Sequence, residues 1–303
     1  MSKSAKYHSP LAPHPWVKSV PKADGKGWKT PTILDAIKLG LMPGVTTTLD
    51  VAKDGLATWQ TNQAIFHCAI LPYHGRFDGE THDGHPDHKI NQADFKEYQK
   101  EIEGRMKDVL ETFADDGSDV DAQLRNAVMG KPYTLGNSVD PALTALRVHA
   151  DELGVDRIVS GLRLASKTLW CTGEPDLYGF KDGKLRAVWD LKRKNSGTYK
   201  RCMTKKGPSE KGLDENHRLQ LGHYLVMLKE YEDAHPDGVV LGILMSCRDD
   251  DNAMVIPIQD TEQWEQAAIH HNASWFLRKG WTKPTEIDET TIREIEEYNK
   301  WQP

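Results

Sequence analysis

The 303-residue chain contains the stretch GEPDLYGFKDGKLRAVWDLK at residues 173–192, which carries the strongest structural signal in the sequence. Two apolar runs within it, 177–180 and 185–191, have the composition of β-strands. Between them lies Lys181-Asp182-Gly183-Lys184, and an Asp-Gly pair flanked by strand-like runs is typical of a tight hairpin turn. The sequence therefore predicts a β-hairpin at this point.

Strand geometry assigns the side chains of the second run to two faces, because successive residues point in opposite directions. We expect one face to belong to the core, and its members are Leu185, Ala187, Trp189 and Leu191. The other face presents Asp190 and Lys192 side by side. Asp176 leads the first strand, so the hairpin can bring its carboxylate beside that of Asp190.

This arrangement of charges suggests a cation site. Two carboxylates held about 4 Å apart repel by about 4 kcal/mol at an effective dielectric constant near 20, so the pair needs a positive partner. Lys192 supplies one charge, and Mg²⁺ or Mn²⁺ suits an all-oxygen ligand set. Such an ion activates water, while a lysine can orient that water or neutralise the transition state. The alternative is a hairpin with ordinary surface charges, since a D-x-K triplet on a strand is very common.

A second motif lies downstream, where Gln220-Leu221-Gly222-His223-Tyr224 falls on a predicted helix over 214–233. Gln220 and Tyr224 are one helical turn apart, with His217 on the same side. An adjoining apolar stripe can pack this helix on a sheet. Taken alone, a tyrosine on such a helix usually serves packing.

Together, Pro175-Asp176, Asp190-Leu191-Lys192 and the Gln220/Tyr224 helix resemble the PD-(D/E)XK nuclease superfamily, in its RecB-like and lambda-exonuclease-like branch. The resemblance implies an α/β fold with a restriction-endonuclease-like core, in which helices flank a mixed central β-sheet. It also implies hydrolysis of DNA phosphodiesters with Mg²⁺ or Mn²⁺.

The resemblance further assigns roles to individual residues. It implies that Asp176, Asp190 and the backbone carbonyl of Leu191 are metal ligands. Lys192 becomes the catalytic base or electrostatic stabiliser, and Gln220 and Tyr224 position the DNA backbone or the metal site.

Two fainter matches lie nearer the N-terminus. Pro43-Gly44-Val45-Thr46-Thr47-Thr48-Leu49 is similar to a P-S-V-T-x-x-L segment of this branch, with glycine in place of serine. A G-x-x-x-H helix motif of the family, whose histidine binds metal, is best matched by Gly117–Asp121. Asp121 then replaces the histidine. Its carboxylate can ligate a hard cation, but it can equally be a helix cap or a surface acid.

A basic segment follows the D-x-K triplet. The whole chain has 39 Lys and Arg against 45 Asp and Glu, which excludes a generally basic protein that coats nucleic acid. Residues 181–211, however, contain eleven basic and three acidic residues. Alone this segment reads as a solvated loop, but beside a nuclease motif we expect it to contact DNA phosphates, and Tyr199 to be able to stack on a frayed base. The expected contacts are Arg193, Lys194, Lys200, Arg201, Lys205 and Lys206.

The organisation of the chain follows from changes in pattern. We expect four segments: an extended Pro-rich arm at 1–31, a helical N-terminal portion packed on the core at 32–150, the nuclease core at 151–280 and a C-terminal tail or helix at 281–303. Within the N-terminal portion, helical spacing extends over 49–71, 92–114 and 139–153.

Composition restricts the class of protein. Hydrophobic residues make up 38% of the chain and charged residues 28%, and no apolar run is long enough to span a membrane. The N-terminus lacks the apolar run of a secretory signal, and four dispersed cysteines fit a reducing compartment. We therefore expect a cytoplasmic protein, located in the bacterial host if a phage encodes it.

These observations predict a Mg²⁺-dependent deoxyribonuclease, an exonuclease of linear DNA that acts in recombination or repair and is encoded by a phage or prophage. Its expected partners are DNA and a single-strand annealing or recombination protein, with a homotrimer by analogy. One alternative is a catalytically decayed nuclease fold that binds or assembles on DNA, suggested by Asp121 and by the long N-terminal portion. The other is a structure-specific or single-strand endonuclease.

Overall fold

A computed structural model describes residues 7–49, 81–82, 85–86, 92–134, 139–231, 234–235 and 238–300. The chain forms two compact units. One comprises Met1 and Ala52–Asp119, and the other comprises Ser2–Val51 with Val120–Pro303. All the expected site residues belong to the second unit.

The described residues form helices and strands, and most of the strands are short. The helices are α1 (Ile33–Leu39), α2 (Val45–Thr48), α3 (Gln92–Val128), α4 (Val139–Glu152), α5 (Ser196–Cys202), α6 (Glu215–Lys229), α7 (Thr261–Arg278) and α8 (Glu289–Lys300). The strands are β1 (Tyr7–His8), β2 (Val20–Pro21), β3 (Trp28–Lys29), β4 (Met42–Pro43), β5 (Thr81–His82), β6 (His85–Pro86), β7 (Arg157–Val159), β8 (Leu164–Ser166), β9 (Cys171–Gly173), β10 (Leu177–Lys181), β11 (Lys184–Lys194), β12 (Met203–Thr204), β13 (Gly207–Pro208), β14 (Val240–Cys247) and β15 (Ala253–Pro257).

A five-stranded sheet with the order β15-β14-β11-β10-β7 forms the centre of the second unit. Strand β11 runs parallel to β14, while the pairs β14/β15, β10/β11 and β7/β10 are antiparallel. The return from β11 to a parallel neighbour needs a crossover connection, and α5 and α6 lie within it. The expected mixed sheet is confirmed.

The hairpin between β10 and β11 turns at Asp182 and Gly183, whose φ angles are 52° and 77°. Positive φ at both central residues is the requirement of a type I′ turn, which explains the Asp-Gly pair. The register then shifts, because Phe180 pairs with Leu185 while Gly179 pairs with Ala187.

The register shift corrects one expectation about faces. Arg186 is the extra residue of a bulge, and a bulge reverses the alternation of the residues beyond it. Leu185 therefore packs in a different core cluster from Ala187, Trp189 and Leu191. The expectation that all four share one face was wrong for Leu185.

Helix α4 and the last turns of α3 cover one face of the sheet. The strand residues Ala187, Trp189 and Leu191 pack there against Leu124 and Leu146. Trp189 is fully buried, and its Nε1–H donates to His149 Nδ1 at 3.1 Å. This contact satisfies the one polar group of the indole.

Helices α6 and α7 cover the opposite face, where Tyr178, Val188 and Ile243 contribute to the core. The two helices approach closely at Gly222, where a Cβ atom would lie 2.2 Å from the Trp264 carbonyl oxygen. With helices on both faces of a mixed sheet, the predicted α/β fold class is confirmed.

The N-terminal arm and the C-terminal segment share a third core cluster. Tyr7 and Val20 of the arm are buried together with Trp275, Trp281 and Ile295. Strand β1 pairs with β4, and β2 pairs with β3. The segment after residue 281 contains helix α8.

Other segments differ from their expected form. Helix α3 continues to Val128, beyond the expected end at 114, and α4 covers nearly all of 139–153. The expected helix over 49–71 lies outside the described residues after Leu49. Among the helices that the structure describes, none is long and apolar enough to cross a membrane.

The basic segment is ordered rather than an open loop. Asn195 caps α5, since its side chain accepts a hydrogen bond from the Thr198 N–H, and β12 and β13 form a small hairpin after it. Tyr199 is 8% exposed and belongs to the core. The expectation that Tyr199 stacks on a frayed base is therefore wrong, because the amphipathic turn of α5 points the ring inward.

Candidate active site

The end of β11 carries the acids and the lysine of the D-x-K triplet. Strand β10 begins at Leu177, which pairs with Trp189, so the next residues of β11 extend past the start of its partner. Asp176 lies directly before β10, and its Oδ2 accepts a hydrogen bond from the Leu191 N–H at 2.7 Å. The hairpin thus brings Asp176 to the edge of β11, as the sequence predicted.

Asp190 and Lys192 lie on one face of β11 and form an ion pair between Asp190 Oδ2 and Lys192 Nζ. Asp190 is 2% exposed, whereas the Lys192 side chain retains 20% exposure. Burial alone lowers the pKa of Lys192, yet the carboxylates of Asp190 and Asp176 outweigh it and raise the pKa. The ammonium therefore stays charged beside a buried anion.

Helix α6 supports this pair through Gln220 and Tyr224. Gln220 Nε2 donates to Tyr224 Oη at 2.8 Å and makes a longer contact of 3.4 Å with Asp190 Oδ1. The Tyr224 ring is buried against the backbone of Gly173, where a Cβ atom would lie 2.5 Å from Cε1. Both residues of the helix motif therefore reach the acid–lysine pair, directly or through one hydrogen bond.

Helix α3 contributes two charged residues on one face, Asp121 and Arg125. Arg125 Nη2 is ion-paired with Asp176 Oδ1. Burial raises the pKa of Asp121 to about 6 against the opposing effects of Lys192 and Arg125. Asp121 is thus within electrostatic range of the site, and no direct bond joins it to the described residues there.

Burial and the neighbouring carboxylate of Asp190 together raise the pKa of Asp176 above its usual range. The Lys192 ammonium, the Leu191 N–H and the Arg125 guanidinium act in the opposite direction. Desolvation is thus the largest cause of the raised pKa, and a cation bound beside the two acids would favour their ionised forms.

Glu174 lies beside the site but has a structural partner. Its Oε2 accepts a hydrogen bond from Arg163 Nη2 at 2.7 Å. Arg163 Nη1 also donates to the His14 carbonyl, and its guanidinium lies 5.4 Å from the centre of the Trp16 ring. This chain of contacts ties the N-terminal arm to the connection that carries Asp176.

Two arginines of the site were not predicted from the sequence. Arg125 follows Asp121 by one helical turn, so helical spacing from Asp121 is a signal that could have found it. Arg163 has no comparable signal, because only the fold brings it to Glu174.

The basic residues expected to contact DNA fall into two groups. Arg193 and Lys194 are half-buried at the end of β11, where burial and the charge of Lys192 lower the pKa of Lys194. The other four are exposed on α5 and on the turn between β12 and β13, namely Lys200, Arg201, Lys205 and Lys206. The structure keeps both groups in the segment that directly follows the acid–lysine pair.

The donor set decides which cation fits. Among the described residues no group of three or more His, Cys, Asp or Glu side chains is arranged to hold a metal. Magnesium nevertheless needs only one or two protein carboxylates, since water and substrate phosphate complete its shell. Asp176 and Asp190 meet that need, and the Leu191 carbonyl points to the same edge as its N–H. Asp190 Oδ2 is buried and ion-paired with Lys192 Nζ, so a cation bound there would share this oxygen with the ammonium.

Comparisons with known proteins give little further information. No protein-family model matches this chain, and no curated protein matches it. A solved structure of LHK-Exo in complex with dAMP resembles the chain with a TM-score of 0.33 and 10% sequence identity. The match covers 60% of this chain and 85% of the other.

Proposed function

We propose that this chain is a metal-dependent nuclease that hydrolyses phosphodiester bonds of DNA and acts as an exonuclease on linear molecules. The observation that carries the proposal is the meeting of Asp176, Asp190 and Lys192 at the end of β11. Gln220 hydrogen-bonds Asp190 from the helix behind. We place the reaction in recombination or repair.

Each residue has a chemical task in this proposal. Asp176, Asp190 and the Leu191 carbonyl would hold Mg²⁺ or Mn²⁺, with Asp121 a further acid within range. When bound, the ion lowers the pKa of water and stabilises negative charge on the phosphate. Lys192 orients the attacking water and neutralises the developing charge from its place beside Asp190.

The remaining contacts hold these groups in position. Gln220 limits rotation of the Asp190 carboxylate, and the Tyr224 hydroxyl fixes the Gln220 amide. Because both side chains come from one helix, a displacement of α6 would disturb the carboxylate without changing any charged residue.

A cleavage assay tests the proposal. Purified protein with Mg²⁺ should release nucleotides from linear duplex DNA labelled at the 5′ or the 3′ end, and a chelator should stop the release. Closed circular DNA should stay intact, because an exonuclease needs an end. Cleavage of the circle would favour the endonuclease alternative, and DNA binding without any metal-dependent cleavage would favour the decayed nuclease.

The exposed basic residues predict a salt dependence of DNA binding. Changing Lys200, Arg201, Lys205 and Lys206 together to Gln should weaken binding equally for different sequences. The slope of log K against log salt should fall by about 0.9 for each phosphate contact that is lost on duplex DNA. Fluorescence anisotropy at several salt concentrations measures both quantities.

A matched control for this prediction removes exposed lysines elsewhere. Lys22 and Lys26 lie in the turn between β2 and β3, and both are exposed. Changing them to Gln should leave the slope nearly unchanged. An unchanged slope in the fourfold variant would show that the basic segment does not track the DNA backbone.

A further inference from the structure

The contact between Arg125 and Asp176 conflicts with cation binding at the same carboxylate. Asp176 Oδ1 is ion-paired with Arg125, and Oδ2 accepts the Leu191 N–H. Both oxygens are therefore engaged. Each oxygen keeps a second lone pair, but the positive charge of Arg125 at Oδ1 repels a cation that approaches this carboxylate. Arg125 must therefore move away for Oδ1 to bind a cation well, whereas the Leu191 N–H is part of the strand backbone and cannot move away alone.

Arg125 is able to leave, because its environment is not closed. Its side chain retains 31% exposure, against 15% for Asp176. Asp176 contacts the Arg125 guanidinium directly. Asp121 lies one turn earlier on the same face of α3, and the charge of Lys192 acts on both acids. A guanidinium released from a carboxylate binds phosphate well, since its paired donors match two phosphate oxygens.

We infer that Arg125 is a positioning residue that alternates between Asp176 and a DNA phosphate, and that it thereby couples cation binding to DNA binding. The inference rests on the proposed nuclease function. Without DNA, the guanidinium competes with a cation for Asp176. With DNA present, a phosphate holds the guanidinium and Asp176 Oδ1 becomes available.

The physical consequence is a reciprocal coupling between two ligands. If DNA raises the affinity for the cation by some factor, the cation raises the affinity for DNA by the same factor. This coupling keeps the occupancy of the site by the cation low until DNA binds. Removing Arg125 should therefore strengthen cation binding to the free protein, the opposite of what loss of a supporting residue would do.

Isothermal titration of Mn²⁺ into the metal-stripped full chain tests this inference. Arg125→Gln should bind Mn²⁺ about tenfold more tightly than the wild type in the absence of DNA, within the usual range of coupling between sites. Arg147→Gln, the same change on the exposed face of α4, should match the wild type. Arg125→Lys keeps the charge and should stay within about threefold of the wild type.

The second measurement is DNA affinity with and without Mn²⁺, using a duplex protected from cleavage by phosphorothioate linkages. The ratio of the two affinities should fall by about tenfold in Arg125→Gln. Should this variant fail to fold, a reduced ratio in Arg125→Lys carries the same conclusion, since a single ammonium pairs less well with phosphate.

The outcomes separate the inference from the proposed function. Equal Mn²⁺ affinities and equal ratios in the wild type and Arg125→Gln would overturn the inference alone. A wild-type protein that binds no Mn²⁺, with or without DNA, would overturn the proposed function and the inference with it.

Discussion

Replacing Lys192 with methionine should lower the rate of DNA cleavage by about a thousandfold or more, the effect expected when one preorganised charge is removed from a reacting centre. Methionine keeps the length of the side chain but removes the ammonium that pairs with Asp190. Single-turnover cleavage of end-labelled linear duplex in Mg²⁺ measures the loss. Cleavage at the wild-type rate would remove Lys192 from the mechanism.

A matched control uses the other end of the same strand. Lys184 is exposed at the start of β11, and Lys184→Met makes the same chemical change. We expect this variant to retain activity within about twofold, as is usual for surface substitutions away from a site. The comparison separates the role of the ammonium from any general effect of a methionine on the strand.

The free energy of unfolding of the variant distinguishes loss of a catalytic group from misfolding. Asp190 is 2% exposed, so Lys192→Met leaves a buried carboxylate with less compensation. We expect a cost of about 2 kcal/mol, below that of a fully buried pair because the lysine side chain is partly exposed. Adding Asp190→Asn removes the charge and should restore most of the stability but none of the activity. Recovery of cleavage in the double variant would contradict the proposed chemistry.

Gly222→Ala should destabilise the protein by about 3 kcal/mol, although alanine is the better helix former. The added Cβ would lie 2.2 Å from the Trp264 carbonyl oxygen and 2.7 Å from its carbon, and neither backbone atom can rotate away. Helices α6 and α7 must therefore separate. Thermal unfolding should show a melting temperature lower by roughly 6–10 °C.

The same variant should also lose activity, because α6 carries Gln220 and Tyr224. A control is Gly104→Ala in α3, where a Cβ atom would meet nothing within 4 Å. There only the helix propensity changes, so stability should rise by about 0.5–1 kcal/mol. A stable and active Gly222→Ala protein would contradict the close packing of α6 on α7.

Much of the fold and of the candidate site was predictable because the relevant signals are local. The Asp182-Gly183 pair supplies the two positive φ angles that the hairpin turn requires. Residues two apart on a strand share a face, which places Asp190 beside Lys192. Residues four apart on a helix share a face, which places Gln220 beside Tyr224. The hairpin then accounts for the position of Asp176.

Other features have no local signature. The bulge at Arg186 depends on how β10 and β11 pair, so alternation along one strand predicted the wrong face for Leu185. Tyr199 lies in a basic segment, and only the packing of α5 on the core shows that its ring is buried. The prediction that this basic segment is a loop was also wrong, because α5 and the β12–β13 hairpin give it regular structure.

By itself, the sequence determined the strand–turn–strand unit, the acid–lysine face and the helix that follows, because spacing along one element dictates which side chains point the same way. Only the tertiary structure decided that Arg125 engages Asp176, that Arg163 engages Glu174 and that α7 leaves no room beside Gly222. Each of these contacts joins residues from different elements or connections of the chain. Such pairs meet through the packing of whole elements, which no short stretch of residues encodes.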